Sequence, residues 1–481
     1  MAHQSDIGLI GLAVMGKNLV LNMIDHGFSV SVYNRSSEKT QTFLQENIRH
    51  SQLQGFETIE DFVGSLCRPR KIMLMIKAGP AVDETISSLL PYLEPGDIII
   101  DGGNSYFRDS ERRCTELKEK GILFVGMGIS GGEEGARKGP SIMPGGNVEA
   151  WESIAPIFQN IAAQVNNVPC CAWVGPGGAG HYVKAVHNGI EYGDIQLICE
   201  AYGLLRSRLD LSAEAVSVIF SEWNSRELDS YLMRIASEVL ALKDSEGTPV
   251  IDTILDVAGQ KGTGQWVALD AIQSGVPLSL IIESVLARYL SVWKDVRVRA
   301  ADELPGVPIV FEKPIDPMLF IEDVFRALYA SKIISYAQGF MLLQEASQKY
   351  QWDLKLGEIA LLWRGGCIIQ SVFLDTIYQG FLQQPDSPSL ILQNYFKSAL
   401  QNSEAGWRRT VANAVACGCP VPCLAAALTF FDGYRTGDSS IALVQALRDY
   451  FGAHTYERRD RPRGEYYHTD WIGTKTTSKV G

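Results

Sequence analysis

The sequence predicts an α/β domain followed by an all-α domain, and three observations predict it. Up to about residue 175, short apolar runs alternate with helical patterns. A glycine-rich turn separates the first apolar run from the first helical pattern. After Gly180, long stretches with apolar residues at helical spacing follow one another and strand-like alternation is scarce. The expected boundaries are 1–176 for a Rossmann-like, doubly wound parallel sheet, 177–457 for a large helical domain and 458–481 for a C-terminal tail.

In order, D-I-G-L-I-G-L, S-V-S-V-Y, K-I-M-L-M-I-K, D-I-I-I-D-G and I-L-F-V-G-M-G are bounded by Gly, Pro, Asp or Asn. Their lengths suit strands buried on both faces. Between them lie segments such as K-N-L-V-L-N-M-I-D-H-G, with glycine at the expected helix end. In the helical half, S-R-L-D-L-S-A-E-A-V-S-V-I-F-S-E-W near Asp210 echoes Q-W-D-L-K-L-G-E-I-A-L-L-W near Asp353, which suggests a duplicated helical unit. The tail from Arg458 has no clear period and several aromatics. Packing on another surface and simple disorder are both open for it.

A chain of 481 residues with 46% hydrophobic and 20% charged residues has the composition of a soluble globular protein of two or three domains. The net charge of −12 gives no broad footprint for nucleic acid or an anionic membrane. Any anionic ligand must be held by a local cluster of donors. The start M-A-H-Q-S-D lacks the basic and apolar regions of a signal peptide, so a cytoplasmic location is expected. Nine irregularly spaced cysteines fit reduced thiols. Cys417, Cys419 and Cys423 have no histidine or fourth cysteine near enough to complete a zinc site, and buried thiols are expected there. The uncharged run from Ala414 to Phe431 is broken by Pro420 and Pro422, so a core segment is expected rather than a membrane span.

Two loops compete for the pyrophosphate of a dinucleotide. The first, Gly11-Leu12-Ala13-Val14-Met15-Gly16, replaces the middle glycine by Ala13 but stands in the required order of strand, turn and helix. Beyond the second strand, Asn34, Arg35 and Ser36 occupy the place of the adenosine ribose. A carboxylate there would suit NAD, whereas Arg35 with neutral neighbours suits the 2′-phosphate of NADP. The second loop, G-P-G-G-A-G from Gly175 to Gly180, matches the pattern literally, yet the residues after it read as one continuous helix. No βαβ unit closes, and a hinge that starts this helix is the expectation.

On that helix Lys184, His187, Asn188 and Glu191 form one polar stripe beside Val183, Val186 and Ile190. Such a stripe is most often a solvated face. Its place at a domain junction favours a ligand cleft. Lys184 and Glu191, roughly 10 Å apart along the axis, could bracket a small polyol between a base and an acid.

Over essentially its whole length the sequence resembles 6-phosphogluconate dehydrogenase. The resemblance is carried by G-L-A-V-M-G-K-N-L, N-R-S, D-G-G-N-S at 101–105, S-G-G-E-E-G-A at 130–136, K-A-V-H-N-G-I-E-Y at 184–192, L-D-V-A-G-Q-K-G-T-G-Q-W at 255–266 and Y-F-G-A-H-T-Y-E at 450–457. It implies oxidative decarboxylation of 6-phosphogluconate to ribulose 5-phosphate, carbon dioxide and NADPH, a pentose phosphate pathway step, without a metal. Lys184 would be the base and then the acid at the 3-hydroxyl, and Glu191 would protonate C1 of the enediol. Asn104, Ser130, Gly131, Gly132, His187 and Asn188 would hold the carboxylate and hydroxyls. Tyr192, Lys261, Thr263 and Arg288 would hold the phosphate. Lys77 and Asn104 would join the glycine loop, Asn34, Arg35 and Ser36 on the coenzyme. Arg448 and His454 match residues that reach the substrate site of the neighbouring subunit, which implies a homodimer with shared sites and a tail packed on the partner. Ser36 where the family usually has threonine, and Gln265 where lysine is common, depart from the pattern without touching a catalytic role. A short β-hydroxyacid dehydrogenase and a catalytically idle NADP-binding protein are the rival readings. The chain's length disfavours the first, and the presence of both Lys184 and Glu191 disfavours the second.

Overall fold

The computed structural model describes residues 4–260, 262–304, 306 and 316–480. Its sheet is built from β1 (Ile7–Ile10), β2 (Val30–Tyr33), β3 (Leu53–Phe56), β4 (Lys71–Leu74), β5 (Ile98–Asp101), β6 (Leu123–Ser130) and β7 (Ser141–Gly146). The order is β3-β2-β1-β4-β5-β6-β7, with the two-residue strand Gly175–Pro176 beyond β7. From β3 to β6 every pairing is parallel, and β6 with β7 is antiparallel. Side chains of successive residues fall on opposite faces. Leu9, Val20, Met23, Val32 and Phe158 accordingly fill one core, while Ile10, Phe62, Leu74, Ile86 and Phe124 fill the other. The order 3-2-1-4-5-6 is that of a dinucleotide-binding doubly wound sheet, which places ligands beyond the carboxyl ends of the strands.

The five apolar runs noted in the sequence are all strands. β3 and β7 carry no such run, for physical reasons. β3 is a half-buried edge strand that includes Gln54 and Gly55, and β7 reads S-I-M-P-G-G, where proline and glycine mask the strand.

From Ala179 to Leu428 the regular structure among the described residues is helical. Two long helices, Ala179–Leu209 and Pro317–Tyr350, pack on one another. Asp210 and Asp353, the two aspartates of the sequence echo, both take left-handed backbone with φ of 52° just past these helices. Each precedes a shorter helix, Ala213–Trp223 and Leu356–Leu362. The two segments of the echo thus share a long helix, a left-handed aspartate and a shorter helix. All nine cysteines are free thiols, with Cys423 buried and Cys417 and Cys419 half-buried. No helix among the described residues is long and apolar enough to cross a membrane.

Residues Thr429–Gly481 group as a second compact unit. Within it the tail, whose sequence shows no clear period, is ordered as a small sheet. Tyr456–Glu457, Tyr466–Thr469 and Thr477–Val480 form a three-stranded antiparallel sheet. Asp449, fully buried, accepts from Thr455 N, Thr469 N, His468 Nδ1 and Trp471 Nε1 at 2.8 to 3.0 Å. Burial alone would raise its carboxyl, but these donors outweigh burial and hold it at about 2. Strands this short, organised on one carboxylate, leave no hydrophobic period to read.

Candidate functional site

At Gly11 the backbone has φ of 107°, and a Cβ would overlap the carbonyl oxygen of Met75. A Cβ on Gly16 would overlap the carbonyl oxygen of Gly11 in the same way. These two glycines let the turn fold back tightly on itself and on the loop after β4. Helix α1 (Val14–Asp25) then begins at Ala13 with no side-chain cap, so its first amides face the mouth of the sheet. Ala13 and Val14 are exposed and Met15 packs on the core. Leu12 N donates to Asn34 Oδ1 at 3.2 Å, and Asn34 Nδ2 donates to Ser36 O at 3.2 Å, which ties the turn to the end of β2. Arg35, Ser36 and Lys77 are exposed. Neither Arg35 nor Lys77 has an ion-pair or hydrogen-bond partner among the described residues. Gly103 packs so that a Cβ would lie 3.1 Å from Ile76 O. The loops after β1, β4 and β5 therefore lie side by side, with the exposed Asn104 on the last.

The second glycine loop is filled by protein. Gly175 and Pro176 pair with β7, Gly178 N donates to Glu111 Oε2 at 2.7 Å, and a Cβ on Gly180 would overlap Gly126 O. Its glycines serve close packing of the helix Ala179–Leu209 on the sheet. The turn at Gly11–Gly16 is the one open to a phosphate.

The polar stripe of that helix is not a solvated face. Lys184 is 6% exposed, His187 0% and Asn188 8%. Room for it comes from V-G-M-G in β6: a Cβ on Gly128 would overlap Lys184 Cβ, and one on Gly126 would lie 2.8 Å from His181 Nδ1. Lys184 Nζ lies 3.3 Å from His187 Nδ1, and Ser130 Oγ lies 3.2 Å from His187 Nε2. Asn188 Oδ1 stands 3.1 Å from His187 Nδ1, while its Nδ2 donates to Thr263 Oγ1 at 3.3 Å. The Glu191 carboxylate is 3.9 Å from His187 Nδ1. Tyr192, buried beside Gly264, carries the Arg288 guanidinium over its ring with Cζ 3.4 Å from the centroid. That guanidinium makes no hydrogen bond or ion pair among the described residues. Gly131 and Gly132 follow Ser130 directly, and Gly131 packs on Gly366 O.

Burial sets the charge states. It lowers Lys184 to about 8 against the weaker pull of Glu191. Burial, with the charge of Lys184, pushes His187 well below its usual value, so the imidazole is neutral. The Glu191 carboxyl is raised, chiefly by burial, with Lys184 and Arg288 opposing. A lysine lowered to about 8 and a carboxyl raised above its usual range are both shifted in the direction that general base and general acid chemistry asks for.

Lys261 lies outside the described residues. Arg448 and His454 belong to the second unit: Arg448 is exposed and donates to Gln445 Oε1 at 3.1 Å, and the His454 ring packs on Phe451. Two residues beside the site gave no signal in the sequence. Trp363 packs edge-on against His187 at 5.8 Å between centroids. Cys367, its thiol pushed up to about 12 by burial, donates to Trp363 O at 3.0 Å. They follow the helix Leu356–Leu362, which only the tertiary fold brings near.

The N-terminal part, residues 6–175, matches the family model described as NAD binding domain of 6-phosphogluconate dehydrogenase, and residues 180–471 match the model of the C-terminal domain of the same enzyme. The chain is 73% identical over 477 residues to the 6-phosphogluconate dehydrogenase, decarboxylating, of Chlamydia pneumoniae, covering 99% of this chain and 100% of the relative. It is 54% identical over 471 residues to the human protein of the same description, covering 98% and 97%. A solved structure of Plasmodium falciparum 6-phosphogluconate dehydrogenase, studied in its apo form and in complex with NADP+ and with 6-phosphogluconate, superposes with a TM-score of 0.93 at 44% identity, covering 97% of this chain and 100% of that one. With the glycine turn open and Lys184 buried beside His187, these matches over nearly the whole length have one consequence: the chain belongs to the 6-phosphogluconate dehydrogenase family.

Proposed function

We propose that the chain oxidatively decarboxylates 6-phospho-D-gluconate to D-ribulose 5-phosphate and carbon dioxide while reducing NADP to NADPH. The observation that carries this reading is the buried Lys184, lowered to about 8, with Glu191 on the same helix and the open glycine turn at the mouth of the adjoining sheet. The activity named for its relatives, and the ligands of the Plasmodium enzyme, support the same reading.

The residues fit the coenzyme. Gly11 and Gly16 let the turn close against the carbonyl oxygens of Met75 and Gly11, where a Cβ would overlap, and the uncapped amides of α1 are free to donate to a pyrophosphate. Arg35, flanked by Asn34 and Ser36, is the cation for the 2′-phosphate, and Lys77 and Asn104 complete the lining. NADP, when bound, supplies the acceptor for the hydride that leaves C3. Lys184, neutral, takes the proton of the 3-hydroxyl, so that C3 becomes a carbonyl. The C1 carboxylate then departs as carbon dioxide, its bonding electrons passing toward the carbonyl oxygen, to which Lys184 returns its proton. Glu191 protonates the carbon that carried the carboxylate, C1 of the five-carbon enediol, while Lys184 takes back the proton of the adjacent hydroxyl, and the product is the ketose phosphate. Ser130, Gly131, Gly132, His187, Asn188 and Asn104 hold the carboxylate and hydroxyls. Tyr192, Thr263, Arg288 and Lys261 hold the phosphate, with Arg448 and His454 contributed by the second subunit of a homodimer. In this reading 1–176 is the coenzyme domain, 177–457 the substrate and dimerisation domain, and 458–481 packs on the partner; the enzyme works in the cytoplasm.

The test is purified protein with NADP and, separately, 6-phosphogluconate, 3-hydroxyisobutyrate and gluconate, followed at the NADPH absorbance. Turnover confined to 6-phosphogluconate, with carbon dioxide released, is the expected result. Silence on all three would favour an idle coenzyme binder.

A further inference from the structure

Arg113 is among the largest fully enclosed side chains, 1% exposed, yet it belongs to neither the glycine turn nor the Lys184 cluster. It stands on the helix Phe107–Lys118, just after the loop that carries Asn104. Its guanidinium fork is spent on three groups. Nε and Nη2 donate to the two oxygens of Asp83 at 2.9 Å each, Nη2 also to Gly79 O at 3.1 Å, and Nη1 to Asp101 Oδ2 at 3.3 Å. Gly79 and Asp83 begin the helix Pro80–Leu89, directly beyond Lys77. Asp101 ends β5, and its carboxylate also accepts from Gly103 N at 3.0 Å and Ser105 Oγ at 2.6 Å. One buried cation thus fixes both the loop after β4 and the loop after β5.

The same chain of bonds reaches the helix of the Lys184 cluster. His181 Nε2 lies 3.0 Å from Asp101 O, and His181 Nδ1 lies 2.6 Å from Ser110 Oγ. A carbonyl oxygen only accepts, so Nε2 carries the proton and Nδ1 takes the Ser110 hydroxyl. His181 precedes Lys184 by three residues, on the same face of the helix. The glycine turn is tied in as well, since Gly11 packs on Met75 O at the start of the loop after β4.

We propose that Arg113 is a positioning residue for the coenzyme: its fork clamps the Lys77 and Asn104 loops to each other and, through Asp101 and His181, to the helix that carries Lys184. This rests on the NADP reading above. The clamp requires arginine, because a planar fork can satisfy Asp83, Gly79 and Asp101 at once whereas an ammonium cannot match that spread. Arg113 touches no reacting atom; it acts through Lys77, Asn104 and the glycine turn.

The experiment is calorimetric titration of the full-length chain with NADP, and separately with 6-phosphogluconate in the absence of coenzyme, for the wild type, Arg113→Lys, Asp83→Asn and the double variant. Loss of charge-assisted contacts should weaken NADP about tenfold in Arg113→Lys and about threefold in Asp83→Asn, weaken 6-phosphogluconate, which shares Asn104 with the clamped loops, clearly less than NADP in each variant, and make the double variant no weaker than Arg113→Lys alone. If Arg113→Lys does not fold, Asp83→Asn is compared with Lys77→Ala and their combination, where the clamp predicts a less than additive loss of NADP affinity. Unchanged NADP affinity in the folded variants overturns the proposal, as does an equal weakening of both ligands or full additivity. The titration needs no turnover, so a wild type that binds NADP but leaves 6-phosphogluconate unoxidised defeats the proposed function while leaving the clamp standing.

Discussion

Lys184 and His187, one helical turn apart, meet inside the protein with Nζ 3.3 Å from Nδ1 and neither side chain more than 6% exposed. Two basic groups buried together cannot both be charged at modest cost, and here both give way: His187 is neutral and Lys184 sits at about 8. The burial that lowers Lys184 also makes its ammonium a cost to the folded protein.

That cost is measurable. A lysine whose value falls from 10.5 to about 8 on folding opposes folding wherever it must be charged in both states. The penalty is therefore full below pH 8 and disappears as pH rises toward 10.5. At roughly 1.4 kcal/mol per unit, Lys184→Met should raise stability at pH 7 by about 1–3 kcal/mol. A higher thermal midpoint for the variant at pH 7, narrowing toward the wild type by pH 10, is the expected outcome. A lower midpoint at pH 7 would show that the native site stabilises the ammonium.

Coenzyme choice rests on Arg35. With Arg35→Asp, a carboxylate faces the 2′-phosphate, and NADP should weaken by about 2 kcal/mol or more. NAD should weaken much less. Equal loss for both in a titration would remove Arg35 as the discriminating residue.

Gly128 tests how β6 serves the site. In Gly128→Ala the new methyl overlaps Lys184 Cβ and lies 3.0 Å from Gly180 O, so the stem of the lysine must shift. Misplacement of a base by a fraction of an ångström costs on the order of tenfold to a hundredfold. The loss should appear in kcat, with NADP affinity unchanged because the glycine turn lies elsewhere. Normal kcat in a folded Gly128→Ala protein would show that the lysine tolerates another position.

The parts that were legible in the sequence are those governed by local rules. The buried strands announce themselves as apolar runs, and Gly11 to Gly16 could be preferred over Gly175 to Gly180 because only the former sits between a strand and a helix within a βαβ unit. The stripe Lys184, His187, Asn188 and Glu191 was visible as a pattern, but its period is the same for a wet face and a buried one. The missing Cβ atoms of Gly126 and Gly128, some 60 residues away in the chain, decide which it is. Trp363, Cys367 and Arg113 were silent for a similar reason: each acts through partners that only the fold brings near. The sheet of the tail escaped notice because Asp449, rather than an apolar period, organises it.

Shared sites are tested by complementation. A Lys184→Ala chain and an Arg448→Ala chain, each nearly inactive alone, are mixed so that subunits exchange. In a dimer with shared sites the mixed species carries one site with both defects and one with neither, so activity should recover to about half the wild-type value per mixed dimer. No recovery despite demonstrated heterodimers would assign Arg448 to its own chain.

The most direct test of Lys184 as the base is the pH dependence of kcat/KM for 6-phosphogluconate in the wild type and in Lys184→Arg, with NADP binding titrated alongside. The wild type should gain activity as pH rises through about 8, where Lys184 becomes neutral. The arginine variant, whose guanidinium keeps its proton, should bind NADP normally and lose about a hundredfold or more in turnover at every pH. Turnover near the wild-type value in Lys184→Arg, with the same pH profile, would contradict the assignment.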